Sequence, residues 1–259
     1  MSIEALPFVN WIFWGALTGG TLLAVGMTEA LGGTTRGYRL FMSAAVLLGA
    51  LIWLASEMGL APVPATDATS GVRRVLVWAF AAVAVGYVVA SIARWPRAGL
   101  AVGGGVVGIV ALVTLAAAGG TDQPPLFAAG LATAAVSLGS VNAAMHLGHW
   151  YLVTPTLSPA PLQRLIWVLI GALVVQGLLA ALALALSSGE LLSGNLAWLT
   201  ALRFGVGIAL PIAVAVLALL ASRATSLQAT TGLLYVGLAM VMAGTIGAAS
   251  LSYLSGSPV

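Results

Sequence analysis

The chain has no cysteine and no lysine, and only 6% of its residues are charged. Without thiols it has no disulfides, thiolate metal sites, iron–sulfur clusters or covalent c-type haem attachment. Soluble domains carry about 25% charged residues, so this chain has too few charges to cover a water-facing surface. Since 61% of its residues are hydrophobic, the composition predicts an integral membrane protein and excludes soluble enzymes and nucleic-acid readers.

Apolar runs long enough for the roughly 20 residues that cross a bilayer occur eight times. We therefore predict an all-α fold, a polytopic bundle of about eight transmembrane helices that forms a single transmembrane domain over residues 1–259. The first run has no basic region before it and carries Glu4, which predicts a retained helix rather than a cleaved signal peptide. The predicted helices are 7–32, 38–61, 74–93, 98–119, 126–154, 164–187, 198–222 and 229–254.

The arginines are distributed unevenly between the connections of this bundle. Short cytoplasmic loops are rich in arginine and lysine, so the distribution places both termini on the non-cytoplasmic side. The abundance of alanine, glycine and arginine without lysine indicates a bacterial genome, and we predict a bacterial cytoplasmic (inner) membrane location. One side carries Arg36, Arg39, Arg94, Arg97, Arg164 and Arg223; the other carries Arg73 and Arg74, with Arg203 just inside a helix.

The fifth run contains both histidines of the protein, in the segment from Asn142 to Tyr151. Asn142, His146 and His149 are spaced i, i+4 and i+7, so they lie on one helix face. Lipid offers no partner for an imidazole or a carboxamide, and this face is expected to point into the bundle. It is the strongest candidate for a functional site.

Four kinds of chemistry fit this face. Quinone or quinol can hydrogen-bond to imidazole and carboxamide; haem b can take one histidine as an axial ligand. A transition metal can take His146 and His149, with Glu29 as a third ligand, and histidine can also relay protons. The alternatives without chemistry are that His149, Trp150 and Tyr151 anchor the helix at the headgroups, and that Asn142 and His146 only bond to other helices.

Three charged residues fall inside the predicted helices, where each needs a reason. Glu29 is either a proton carrier or the partner of an arginine from a connection on its side, such as Arg36 or Arg39. Glu57 is expected to pair with Arg73 or Arg74. Arg203 cannot lose its charge, so it snorkels outward, pairs with Glu57 or serves a ligand pocket near the outer side; snorkelling is the expectation.

The preferred function is a membrane subunit of a redox or respiratory assembly, with a quinol or haem contact on the Asn142, His146 and His149 face and Glu29 as proton carrier. Such a chain is not an enzyme alone, but works as a subunit of an oxidoreductase complex. Its partners are then membrane lipid and other protein subunits. The alternatives are a small-solute transporter or channel, and a structural subunit or assembly factor.

Overall fold

The computed structural model describes residues 5–32, 34–59, 69–119, 121–154, 157–187 and 189–257. These residues contain no strand, and eight helices are long and apolar enough to cross a membrane. The predicted helical bundle is confirmed, with bounds that agree to within four residues; residues 60 and 61 of the second predicted helix lie outside the described residues. The helices are α1 (Leu6–Ala30), α2 (Arg36–Gly59), α3 (Ser70–Ala93), α4 (Ala98–Ala117), α5 (Pro124–Val153), α6 (Ala160–Leu186), α7 (Ala197–Arg223) and α8 (Leu227–Ser255).

Helix α1 lies at the centre of the bundle. It packs against α2, α4, α5 and α8, and it is the most buried of the eight helices. Apolar side chains around its circumference, including Trp11, Ile12 and Leu22, are almost fully buried. Polar side chains on α1 therefore face other helices rather than lipid.

Glycines on α4 and α5 allow these helices to approach α1 closely. A Cβ atom on Gly105 of α4 would lie 2.5 Å from the backbone nitrogen of Leu23, and one on Gly139 of α5 would overlap the backbone of Gly20. Small residues at such crossings let helices pack without a hydrophobic driving force. The glycine-rich fourth run is thus a packed helix, as the sequence predicted.

The two ends of the bundle differ in the helix termini and connections that they contain. Contacts between Phe8 and Tyr253, and between Glu57 and Arg73, place the start of α1, the end of α2, the start of α3 and the end of α8 together. We call this the termini end. The opposite end, which we call the arginine-rich end, holds the connections that follow α1, α3, α5 and α7.

Helix α7 contains a π-helical segment, Gly205–Ala209, directly before Pro211. Proline has no N–H group and its ring collides with the carbonyl four residues earlier, here that of Gly207. A wider turn relieves this collision. At the same level α8 crosses closely, since a Cβ on Gly207 would lie 2.7 Å from the Cα of Gly244.

Candidate functional site

Asn142 is held by the crossing of α1 and α5. The backbones touch at Gly20 and Gly139, which brings the nearby side chains of Thr21 and Asn142 together. Asn142 Nδ2 donates a hydrogen bond to Thr21 Oγ1 at 3.0 Å. The carboxamide oxygen forms no hydrogen bond within the described part of the chain, so it can accept one from a ligand.

His146 lies one turn further along α5 and is half-buried. Its Nδ1 is 2.9 Å from the backbone carbonyl of Asn142. A carbonyl only accepts, so Nδ1 carries the hydrogen, and in the neutral imidazole Nε2 is an acceptor. Nε2 has no hydrogen-bond partner among the described residues. The ring stacks at a tilt beneath Phe41 of α2, with 5.1 Å between ring centroids.

Both side chains line a groove with a volume of about 170 Å³ between α2 and α5, with α1 as its floor. Trp14 and Ala45 at its rim are partly exposed, so the groove opens onto the lipid-facing surface of the bundle. Its polar atoms come from α1 and α5, and its apolar wall comes from α2. The lining residues are Trp14, Leu17, Thr18, Thr21, Ala45, Val46, Gly49, Asn142 and His146.

His149 does not share this groove, because its side chain is exposed. A seven-residue step on a helix falls about 20° short of two full turns, so the face that starts at buried Ala135 has rotated by about 40° at His149, where the side chain is exposed. The expected inward face is therefore correct for Asn142 and His146 and wrong for His149. Among the described residues no group of three histidine, aspartate or glutamate side chains is placed to hold a metal ion.

The neighbours of His149 contact other parts of the bundle. Trp150 packs against Tyr38 and Phe41 of α2, with 6.4 Å between ring centroids in both cases. Tyr151 is buried, and its hydroxyl donates to the carbonyl of Ser158 at 2.8 Å. Both aromatic side chains therefore serve the packing of the arginine-rich end.

The groove around His146 is smaller than a haem. Its described lining residues offer His146 as an axial ligand, and include neither a methionine nor a second histidine that could be the other. The volume suits a single six-membered ring, since a cavity of about 150 Å³ binds benzene, whereas a porphyrin is several times larger. The donors and acceptors present suit a ring with hydroxyl or carbonyl oxygens.

Glu29 lies away from the groove, between α1, α3 and the connection that follows α3. Its Oε1 accepts a hydrogen bond from the Tyr87 hydroxyl at 2.7 Å. Its Oε2 lies 3.1 Å from Arg97 Nε, an ion pair in which the N–H is not aligned for a hydrogen bond. Pairing with an arginine of a connection on that side is confirmed, and the partner is Arg97. The structure does not bring Glu29 to the histidines.

Glu57 and Arg73 form the expected ion pair at the termini end. Their residues are each 3% exposed, with 3.2 Å between Arg73 Nε and Glu57 Oε2. The same oxygen accepts a hydrogen bond from Trp11 Nε1 at 2.7 Å, and the guanidinium carbon lies 5.7 Å from the centre of the Trp11 ring. This pair joins α1, α2 and α3.

Arg203 contradicts two expectations. It does not snorkel, because only 4% of the residue is exposed, and it does not pair with Glu57, whose carboxylate is taken by Arg73. The close crossing at Gly207 and Gly244 turns this side of α7 into the bundle. Arg203 Nε is buried and has no hydrogen-bond partner in the described part of the chain, and the side chain lines a small cavity at the termini end.

Sequence reasoning missed the contribution of α1 to the groove. Trp14, Thr18 and Thr21 lie inside an apolar run and match no functional motif. The available signal was the pair Gly19-Gly20 on α1 and Gly139 on α5, since small residues mark places where helices approach closely. The threonine next to such a crossing then faces the neighbouring helix.

The eight helices define the class of this protein: it is an integral multi-pass membrane protein. Comparison of the chain with family models, with curated proteins and with solved structures gave no match. The interpretation of the groove and of the Arg203 cavity therefore rests on their own residues and geometry.

Proposed function

We propose that this chain is the quinol-binding membrane subunit of a redox assembly in a bacterial cytoplasmic membrane. The observation that carries the proposal is the tautomer of His146. Because Nδ1 donates to the Asn142 carbonyl, the neutral ring offers Nε2 as an acceptor beside a ring-sized groove that opens to lipid.

The groove favours a ligand that donates hydrogen bonds. His146 Nε2 and the Asn142 carboxamide oxygen are both acceptors without partners in the described part of the chain, and a quinol presents hydroxyl donors. The isoprenoid tail of a quinol is apolar and can remain in the bilayer at the open side. Trp14 and the α2 wall at Val46 and Gly49 supply apolar contact for the ring.

Oxidation of a quinol releases protons and electrons, and the residues of the groove account for only part of this chemistry. Neutral His146 accepts a proton from the quinol hydroxyl at Nε2. The electrons need an acceptor, which we assign to a partner subunit because the chain has no cysteine for an iron–sulfur cluster. Both the lipid-soluble substrate and the requirement for partners agree with a chain that consists largely of membrane helices.

The experiment is a titration of the protein in nanodiscs with a short-tailed quinol, followed by tryptophan fluorescence and calorimetry. Loss of one good hydrogen bond corresponds to roughly tenfold in affinity, so His146→Ala and Asn142→Ala are each expected to weaken binding about tenfold. His149→Ala is the matched control, since it removes an exposed histidine from the same helix, and its affinity is expected to equal that of the wild type.

Two results would overturn the quinol proposal. One is the absence of quinol binding by the wild-type protein; the other is equal affinity in the wild type, His146→Ala and Asn142→Ala. A visible spectrum of the purified protein provides an independent check, because a Soret band would show a haem that the groove geometry does not accommodate.

A second candidate function is transport of a small solute. It is supported by the π-helical segment Gly205–Ala209 beside Pro211 in α7, since interrupted helices line the binding sites of many transporters. Solute flux into liposomes that is unaffected by His146→Ala would favour this function over quinol binding. A protein with neither activity that co-purifies with other chains would be a structural subunit or assembly factor.

A further inference from the structure

Arg203 is a buried cation with no counter-ion among the described residues. Its guanidinium donates no hydrogen bond to any of them, and the described acids of the eight long helices, Glu29 and Glu57, are engaged by Arg97 and Arg73. Arginine stays charged at every physiological pH. A charge inside a membrane protein that is neither paired nor exposed marks a ligand or ion site.

The cavity at Arg203 has the size of a small anionic group. Its volume is about 30 Å³, and a water molecule needs about 10–15 Å³ measured in this way, so a group with two oxygens fits. The walls come from α1, α5, α7 and α8, and the lining side chains that the structure describes include no acid. They include Ile12, Phe127, Leu131, Thr245 and Ser252.

A second cavity of about 160 Å³ adjoins the first on the side of the termini end. The two cavities share Phe127 and Ser252. The outer one is lined by the apolar and aromatic side chains of Phe8, Leu115, Phe127 and Tyr253 and by the hydroxyl-bearing Thr121, Ser252 and Ser257, and most of its surface is apolar. Together they form an inner part that contains the cation and a mostly apolar outer part the size of one six-membered ring.

Gly207 lies directly beside the arginine in α7. A Cβ atom on Gly207 would be in ordinary van der Waals contact with Arg203, 3.6 Å from both Cδ and Nη1. The π-helical segment begins two residues after Arg203, and such segments occur frequently at functional sites. The Ser252 hydroxyl, which donates to no described residue, provides a second donor at the junction of the cavities.

We propose that Arg203 is the centre of a binding site for a monocarboxylate whose apolar body occupies the outer cavity. The planar guanidinium matches a carboxylate with two parallel N–H···O bonds. A single buried positive charge balances a single negative charge, which favours a carboxylate over a dianionic phosphate. The apolar lining of the outer cavity selects an aromatic or aliphatic body rather than a sugar or an amino acid.

The test is calorimetric titration of the full chain in nanodiscs with benzoate, with sulfate as the supporting anion. Charge-assisted hydrogen bonds contribute about 1.5–3 kcal/mol, so Arg203→Met is expected to weaken benzoate binding about thirtyfold. Arg74→Gln is the matched control, because it removes an exposed arginine from the same end, and it is expected to bind as the wild type does. Benzamide, which has the ring but no charge, is expected not to bind.

A second pair of variants keeps the test decisive if Arg203→Met does not fold. Arg203→Lys retains the charge but not the two-pronged donor geometry, and is expected to bind benzoate about tenfold more weakly. Ser252→Ala is expected to reduce the affinity about threefold, as the loss of a single weaker hydrogen bond. Equal affinity in the wild type, Arg203→Lys and Ser252→Ala would overturn the proposal.

Two further arms identify the source of the carboxylate. Displacement of benzoate by oleate added to the nanodisc lipid would point to a fatty acid from the membrane. Binding of benzoate that oleate leaves unchanged would point to a small carboxylate from water; both results support the site. The proposal is wrong if the wild type binds neither acid at about 10 mM, a concentration that corresponds to negligible affinity, or if it binds chloride but not benzoate. Neither outcome bears on quinol binding at His146.

Discussion

The Glu57–Arg73 pair and Arg203 lie at the same end of the bundle and are equally buried, yet the groups around the two arginines differ. Arg73 has a carboxylate at 3.2 Å and an aromatic ring beneath its guanidinium. Arg203 has small and apolar residues around it and a cavity beside it. Burial alone therefore does not reveal what a charge does. A charge that is matched within the chain holds helices together, and one that is left unmatched requires a partner from outside.

The largest expected effect is on the matched pair. Glu57→Gln keeps the side-chain volume and an acceptor for Trp11, but removes the carboxylate that lies 3.2 Å from the buried Arg73 guanidinium. Breaking a buried pair in this way costs about 3–5 kcal/mol, so the free energy of unfolding in bicelles is expected to fall by that amount. Arg74→Gln, at an exposed position, is expected to change it by less than about 0.5 kcal/mol.

The double variant Glu57→Gln with Arg73→Met sharpens this measurement. The double variant removes both members of the ion pair together, and we expect much of the lost stability to return. If the double variant is as unstable as Glu57→Gln alone, the cost comes from packing and not from charge.

The second-largest expected effect is a gain in the free energy of unfolding. Arg203→Met in protein free of carboxylates removes an unmatched buried charge and is expected to raise the free energy of unfolding by about 1–3 kcal/mol. The same unfolding assay measures it. Destabilisation of the size seen for Glu57→Gln would show that Arg203 has a structural partner, and the contrast between the two regions would then be lost.

The smallest effect is expected at Glu29. Arg97 is partly exposed, with 13% of its side-chain surface accessible, so water and salt share the stabilisation of its charge. Glu29→Gln retains an acceptor for Tyr87 and is expected to cost about 1–2 kcal/mol. The dependence on salt distinguishes the two variants. High ionic strength is expected to reduce the loss of stability caused by Glu29→Gln and to leave the loss caused by Glu57→Gln unchanged.

The sequence predicted the contact between Glu57 and Arg73 because the two residues lie on consecutive helices. Glu57 ends α2 and Arg73 begins α3, so a hairpin brings them together whatever the rest of the bundle does. Glu29 and Arg97 are far apart in the sequence, but the alternation of helix direction places both at the arginine-rich end. The sequence identified the end but not which arginine, because that choice depends on how α1 and α4 pack.

The groove and the Arg203 cavity were only partly readable. The periodicity of α5 placed Asn142 and His146 on one face, but the rotation of that face relative to α1 and α2 decided that they line a groove and that His149 does not. Arg203 was expected to snorkel because it lies near a helix end. The contact between Gly207 and Gly244 rotates it inward, and no local pattern encodes which glycines meet.

By itself, the sequence determined that the chain has eight helices long and apolar enough to cross a membrane, because hydropathy and run length depend only on the local order of residues. It also placed most charges at helix ends, since the cost of a charge in lipid acts on every helix separately. Only the tertiary structure decided which charges are matched and which polar side chains share a cavity. In lipid no hydrophobic force orients one apolar helix against another, so these choices follow from close contacts between small residues of different helices.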